Sequence, residues 1–264
     1  MAQMATQARK ARIGTAFGAA AGGYQDHAGV QKLAAHVVAE LAEQAAAVAV
    51  MGPAPRILEI GCGTGLLTRG LQMRWPVAPI IATDLSAQMV AQAAGDGGTG
   101  ATFLTMDGEQ PHFDGPWFDL IVSSLAFQWF GDLPGAVARL VALLRPGGSL
   151  IFSTMGARSF AAWRAAHRDC GVEAGIAAYP TLDQLRAMLA GHPDAYAFDE
   201  EYPLHCGDAR GLLRHLKGIG AVVPVDGRDP VSPVTLRAVM RRFDEGGARD
   251  GYHVLFGRVT RLPG

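Results

Sequence analysis

The order of apolar runs and turn residues predicts an α/β protein: a mostly parallel sheet of seven strands with helices on both faces, an N-terminal arm and a helical insertion toward the C-terminus. Three observations carry this. Strand-like and helix-like segments alternate between residues 55 and 155, the strand candidates are continuously apolar as strands buried on both faces must be, and a glycine-rich turn follows the first of them.

The elements follow in order. The Ala-rich stretch QKLAAHVVAELAEQAAAVAV has apolar residues at helical intervals and is stopped by GPAP at 52–55. RILEI then reads as the first strand, with PIIATD, ATFLTM, FDLIVSS and SLIFST as the next four. TGLLTRGLQMRW, AQMVAQAA and DLPGAVARLVALL are the helices between them, each joined by Gly, Pro or Asp. Past residue 155 the rhythm changes: helical patterns at 157–170, 181–190, 208–218 and 232–243 surround YAFDEEYPLHC and YHVLFGRVT, the last two strands of the same sheet. The chain reads as one domain, with an arm or lid at 1–31, a ligand-binding core at 32–155 and acceptor-side helices with the last strands at 156–264. No internal repeat occurs, and AAGDGGTGA at 93–101 reads as a loose surface turn.

Composition narrows the function. A chain of 264 residues with 49% hydrophobic residues can bury a substantial core. The formal charge of -1 and the scattered basic residues give no footprint for nucleic acid or an anionic membrane. Cys62, Cys170 and Cys206 are odd in number and far apart, so neither a disulfide framework nor a paired-cysteine metal site is expected, and a reducing cytoplasmic setting fits. The start has no apolar stretch of signal-peptide length and no run spans a bilayer. The eight histidines show no metal-binding spacing, so no metal is expected.

The strongest chemical signal is LEIGCGTG at 58–65, between a strand and a helix. Gly61, Gly63 and Gly65 let the backbone turn tightly and admit a ligand. Leu66 and Leu67 stand where a dinucleotide fingerprint wants glycine and a phosphate loop wants lysine and a hydroxyl, so a phosphate is disfavoured. Glu59 adds negative charge that repels phosphate and welcomes a sulfonium or an amine. Asp84 ends the second strand, where a carboxylate can grip both ribose hydroxyls, and Leu85 can cover an adenine face. Asp107 ends the third strand, placed to accept from an adenine amine. Taken singly each acid reads as a cap or turn residue; in this order they read as a nucleoside site.

LEIGCGTG, the acid in TDLS, MDGE, FDLIVSSLAFQW and LLRPGGSLIFST together resemble the class I S-adenosylmethionine-dependent methyltransferases, over roughly 55–155. The resemblance implies a Rossmann-like methyltransferase sheet and S-adenosyl-L-methionine as cofactor. It places Glu59 near the methionine amine and Asp84 and Asp107 on ribose and adenine, with Leu85, Gly108 and Ser124 also in the cofactor site. Such a sulfonium-bound methyl group is already activated, so the protein need only align the acceptor and exclude water.

The segments AFGAAAGGYQDHAGVQ, LAFQWFGDL, LLRHLKGIGAVVPVDGRDP and YHVLFGRVTR narrow the likeness to the malonyl-acyl-carrier-protein O-methyltransferases, which open the pimelate branch of biotin synthesis by esterifying a malonyl thioester's free carboxylate. This likeness spans nearly the whole chain and implies an acyl carrier protein bearing a malonyl group as partner. A carboxylate with a pKa near ~4 is already ionised and needs no base, only a cation to orient it. Lys217 is the first choice for that cation and Arg158 the second, each readable instead as a solvated charge. Residues 16–31 would form a lid in which Tyr24 closes the pocket near the methyl group, with His27 and Gln31 fixing the arm; alternatively Tyr24 staples the arm to the core and His27 is structural. Phe127, Gln128 and Trp129 are expected to line the acceptor channel, and Arg210, Arg214, Lys217, Arg237, Arg241 and Arg242 to form a basic rim facing an acidic carrier. Two departures stand out: GIAAYP at 175–180 puts Ala178 where relatives carry arginine, and Ala19 stands at another such position. They leave open a methyltransferase on another small carboxylate or quinone-like acceptor, or a non-methylating assembly protein of the same fold.

Overall fold

The computed structural model describes residues 2–96, 100–192, 194–223 and 230–262, with side chains from residue 6 onward. Of the segments singled out above, GRDP lies almost wholly outside the described residues, as does the middle of GDGGTG.

The chain opens with helix α1 (Ala2–Ala20), the short α2 (Tyr24–His27) and the long α3 (Gly29–Val48). Then follow β1 (Ile57–Ile60), α4 (Leu66–Arg74), β2 (Ile80–Asp84), α5 (Ala87–Gly95), β3 (Ala101–Thr105) and β4 (Phe118–Ser123). The second half holds α6 (Leu133–Ala142), β5 (Leu144–Met155), α7 (Ala161–Asp169), α8 (Leu182–Leu189), β6 (Tyr196–His205), α9 (Ala209–Gly218), α10 (Pro233–Glu245) and β7 (Arg249–Thr260). All seven expected strands form one sheet in the order β3-β2-β1-β4-β5-β7-β6, parallel except for β7, which runs antiparallel to both neighbours.

The continuous apolar runs have the expected cause. Successive side chains of a strand point to opposite faces, so Ile57 and Leu120 join one core with Val38, Ala42 and Phe256, while Leu58 and Ile121 join the other with Leu140, Phe152 and Leu185. Caps set several helix starts: Ser86 accepts from Met89 N–H, Asp132 and Asp208 do the same for α6 and α9, and Thr181 with Gln184 forms a capping box on α8.

The N-terminal arm is more ordered than the sequence pattern suggests. Alanine-rich α1 has high helix propensity but no strong apolar stripe. It packs against α5 and passes the turn after β2 closely at Gly18, where a Cβ would stand 2.8 Å from Gln88 Oε1 and 3.0 Å from Ser86 Oγ. Among the described residues no helix is long and apolar enough to cross a membrane.

Candidate active site

The sheet's order reverses at β1, which is flanked by β2 and β4, and a cleft opens beyond the carboxyl ends of these strands. Gly61 begins the turn after β1 with φ +72°, and a Cβ on it would lie 2.4 Å from Ala126 Cβ, so a side chain here would strain the turn and strike the loop after β4. Gly63 N–H donates to Asp84 Oδ2 at 2.9 Å and Ser86 N–H to Oδ1 at 2.8 Å, which locks this carboxylate at the end of β2. Burial raises the Asp84 pKa, while these N–H groups oppose the rise. Leu85, Asp107, Gly108 and Ser124 line the same cleft. Gly65 stands back from it, capping α4 with φ +81°.

Glu59 lies on the far side of the glycine turn, 1% exposed, and accepts a 2.6 Å hydrogen bond from Thr68 Oγ1. Burial pushes its carboxyl up to about 7; the Thr68 hydroxyl opposes this and the Asp84 charge adds to it. A side pocket joins Glu59 to Tyr24, Gln31, Thr64 and Ser124. In it Gln31 Oε1 and Thr64 Oγ1 are buried without a hydrogen-bond partner. Such orphans are costly, so an unfilled acceptor and an unfilled hydroxyl beside a carboxyl mark a place for a ligand's polar end.

Helix α1 roofs the cleft with Lys10, Ile13 and Phe17; Phe17 falls within the expected lid at 16–31, whereas Lys10 and Ile13 precede it. Their spacing of three and four residues is a helical stripe, the signal that could have found them. Lys10 Nζ lies 2.6 Å from Asp107 Oδ2 and 2.6 Å from Glu109 Oε2. Burial alone would lower the Lys10 pKa; the two carboxylates outweigh it and hold the ammonium above its ordinary value. Asp107 also accepts from Glu109 N–H at 3.0 Å, so it stands in the cleft as half of an ion pair, not as the open acceptor expected from the sequence.

Tyr24 occupies the junction of the cleft, the side pocket and a third, inner chamber. Burial, and secondarily the Asp84 charge, push its phenol well above the ordinary range, so it is a neutral hydroxyl at physiological pH. The inner chamber adds Gln31, Gln128, Tyr179 and Tyr252 to Phe17, Tyr24 and Trp129. Tyr252 is held by a 2.6 Å hydrogen bond between its hydroxyl and His215 Nε2. Gln128 and Trp129, expected on an acceptor channel, line this inner chamber, whereas Phe127 does not: it is 1% exposed and stacked between Phe130 and Phe152, each at 4.7 Å, because the strand-end loop turns it inward.

The remaining expected contacts lie elsewhere. Arg158 is bound to Glu201 and Asp199, both at 2.6 Å, in a surface groove beside β6. Lys217 is exposed on α9 and lines none of these chambers. His27 is exposed and packs on α9, where a Cβ at Gly218 would lie 2.2 Å from its ring, so it pins the arm to α9. The GIAAYP stretch forms part of an outer chamber beyond the inner one, through Gly175, Ile176, Ala177 and Tyr179.

A family model described as a methyltransferase domain matches residues 57–148. The chain is 38% identical over 258 residues to a malonyl-[acyl-carrier protein] O-methyltransferase of Magnetococcus marinus, covering 96% of this chain and 93% of that one. This chain belongs to the malonyl-[acyl-carrier protein] O-methyltransferase family. It is also 44% identical over 253 residues to the biotin biosynthesis bifunctional protein BioCD of Bordetella avium, spanning 96% of this chain but only 53% of that longer protein. Among solved structures, the YcgJ protein of Bacillus subtilis superposes with a TM-score of 0.59 at 16% identity, covering 88% of this chain and 99% of that one. A Haemonchus contortus phosphoethanolamine N-methyltransferase 2 holding S-adenosylhomocysteine superposes at 0.53 with 18% identity, covering 81% and 50%. Both likenesses show the class I methyltransferase fold. The cofactor of this family of methyltransferases, S-adenosyl-L-methionine, fits the residues present: orphaned Gln31 Oε1, orphaned Thr64 Oγ1 and buried Glu59 face one end of the cleft, and the fixed Asp84 carboxylate faces the other.

Proposed function

We propose that this protein methylates the free carboxylate of a malonyl thioester carried on acyl carrier protein, the first step that disguises a short acid as a neutral chain for pimeloyl synthesis. One observation carries this reading. The inner chamber that meets the cofactor cleft at Tyr24 is lined by phenols, carboxamides and apolar groups, with no Asp, Glu, His or Lys among its described residues. No carboxylate, imidazole or amine lines the chamber directly, and His215 reaches it only through its hydrogen bond to the Tyr252 hydroxyl, whereas a carboxylate arrives ionised and needs no base. That favours an acid over a quinol-like acceptor. The malonyl group and the carrier protein follow from the family to which the chain belongs.

The bound cofactor supplies a methyl group already activated on sulfur. This chain's residues do the rest. Asp84 and Leu85 hold the nucleoside, the Lys10–Asp107 pair closes its far edge, and Glu59, Gln31 and Thr64 take the amino-acid end. Phe17, Tyr24 and Trp129 separate the reacting centre from water, which strengthens the attraction between an anionic acceptor and a cationic donor. Arg210, Arg214 and Lys217 are exposed on α9, the helix whose Leu216 lines the outer chamber, and on this reading they offer an acidic carrier a docking face. Arg242 is already paired with Asp169 at 2.7 Å.

The pH profile tests the missing base. With cofactor saturating, turnover of a malonyl thioester should stay level between about pH 7 and 9; a rate rising tenfold per pH unit would show that a proton is removed and would contradict the carboxylate reading.

A further inference from the structure

Two chambers in series lie beyond the cofactor cleft. The inner one, about 40 Å³, shares Phe17, Tyr24 and Trp129 with the cofactor cleft. The outer one, about 60 Å³, shares Gln128, Trp129 and Tyr179 with the inner. At roughly 10–15 Å³ per water, the inner chamber has room for about three waters, or a carboxylate and its methylene. Among the described residues its wall bears no charge, and the outer chamber's wall bears one, Arg9.

Arg9 sits one residue before Lys10, and a helix turns neighbours to different faces. Lys10 goes to Asp107 and Glu109 on the cofactor side, while Arg9 Nη1 donates to Trp129 O at 3.2 Å on the acceptor side. Tyr179 stands between the two chambers, with the Arg164 guanidinium stacked over its ring at 5.5 Å. Among the described residues no carboxylate is bonded to Arg9. A partly buried guanidinium in the wall of the outer chamber, next to an inner chamber without charge, suits a carboxylate.

We propose that Arg9 is the specificity-determining residue that distinguishes the acidic acceptor from its esterified product. The proposal rests on the carboxylate reading above. Arg9 attracts the ionised acid toward the neutral inner chamber, and once the acid is esterified the ligand has no charge for Arg9 to hold, which favours its departure.

The test compares binding of malonyl N-acetylcysteamine thioester, which has a carboxylate and no phosphate, with that of its methyl ester, by calorimetry with S-adenosylhomocysteine present. The wild type should bind the acid at least about tenfold more tightly than the ester. Arg9→Gln should lose that preference while keeping its affinity for the ester and for S-adenosylhomocysteine, and Arg9→Lys should restore part of it. Equal preference in the wild type and Arg9→Gln would overturn the proposal, as would a wild type indifferent to the charge. An effect of Arg9→Gln confined to malonyl-coenzyme A would also overturn it, assigning Arg9 to the phosphate of the arm. Methyl transfer by the wild type is scored separately, so failure to methylate a malonyl thioester would sink the acceptor reading without deciding the role of Arg9.

Discussion

Glu59 shows how far one residue's chemistry can be carried. Its carboxyl sits near 7 because burial outweighs the Thr68 hydrogen bond. A carboxyl raised above its unfolded value binds a proton in the folded state that the unfolded chain has already lost. The associated stability is therefore fully present below about 4.5 and lost as pH rises through about 7, a change on the order of 3 kcal/mol. Without cofactor, the wild type should lose melting temperature between pH 5 and 8 relative to Glu59→Gln; parallel curves would show that Glu59 titrates normally. Tyr24 poses a different question, since a lid and a staple use the same side chain. Tyr24→Ala should cut kcat/KM about 100-fold by removing the wall shared by the two chambers and admitting water, and should also lower Tm through lost packing, whereas Tyr24→Phe should cost less activity and melt like the wild type. If both variants turn over normally, the closing role fails. The strand-end acids were legible because the chain order fixes where each strand ends. Gln31, Thr64, Tyr179 and Tyr252 were harder to read as a site, because separate helices and loops bring them together and no local spacing records it.

At the scale of elements, α1 is the piece that sequence patterning understated. The strands announced themselves through apolar runs cut by Gly, Pro and Asp, whereas α1 buries only a narrow stripe, Ile13 with Phe17 edge-on to Trp129, beside the Lys10 ion pairs. Glu109, whose side chain is 5% exposed, ties three segments together: it pairs with Lys10 and accepts from Gly131 and Asp132 N–H at 3.2 and 2.6 Å. Lys10→Met would leave a nearly buried carboxylate short of its cation. The expected cost is about 1–3 kcal/mol, or several degrees in Tm, accompanied by roughly tenfold weaker cofactor binding as the roof loosens. Both can be read from one set of thermal shifts with and without cofactor; a variant matching the wild type in both would remove α1 from the cofactor site. Lys217 shows the converse error: it lies beside an informative segment, yet the helical turn that brings Leu212 inward sends Lys217 to solvent.

For the whole molecule, the cofactor cleft, inner chamber and outer chamber share lining residues one with the next, from the sheet's reversal point to Leu216 on α9, and the solvent-facing side of that helix carries Arg210, Arg214 and Lys217. A carrier docked on that face could pass a short acid inward, with charge recognised before the neutral chamber and methyl transfer beyond it. The central claim is that the acceptor is a carboxylate borne by a carrier. Mass spectrometry of malonyl-acyl carrier protein and acetyl-acyl carrier protein, each incubated with the purified protein and S-adenosyl-L-methionine, tests it directly. The account predicts a gain of one methyl group on the malonyl species and none on the acetyl species. No gain on the malonyl species, with cofactor binding shown in the same preparation, would contradict it.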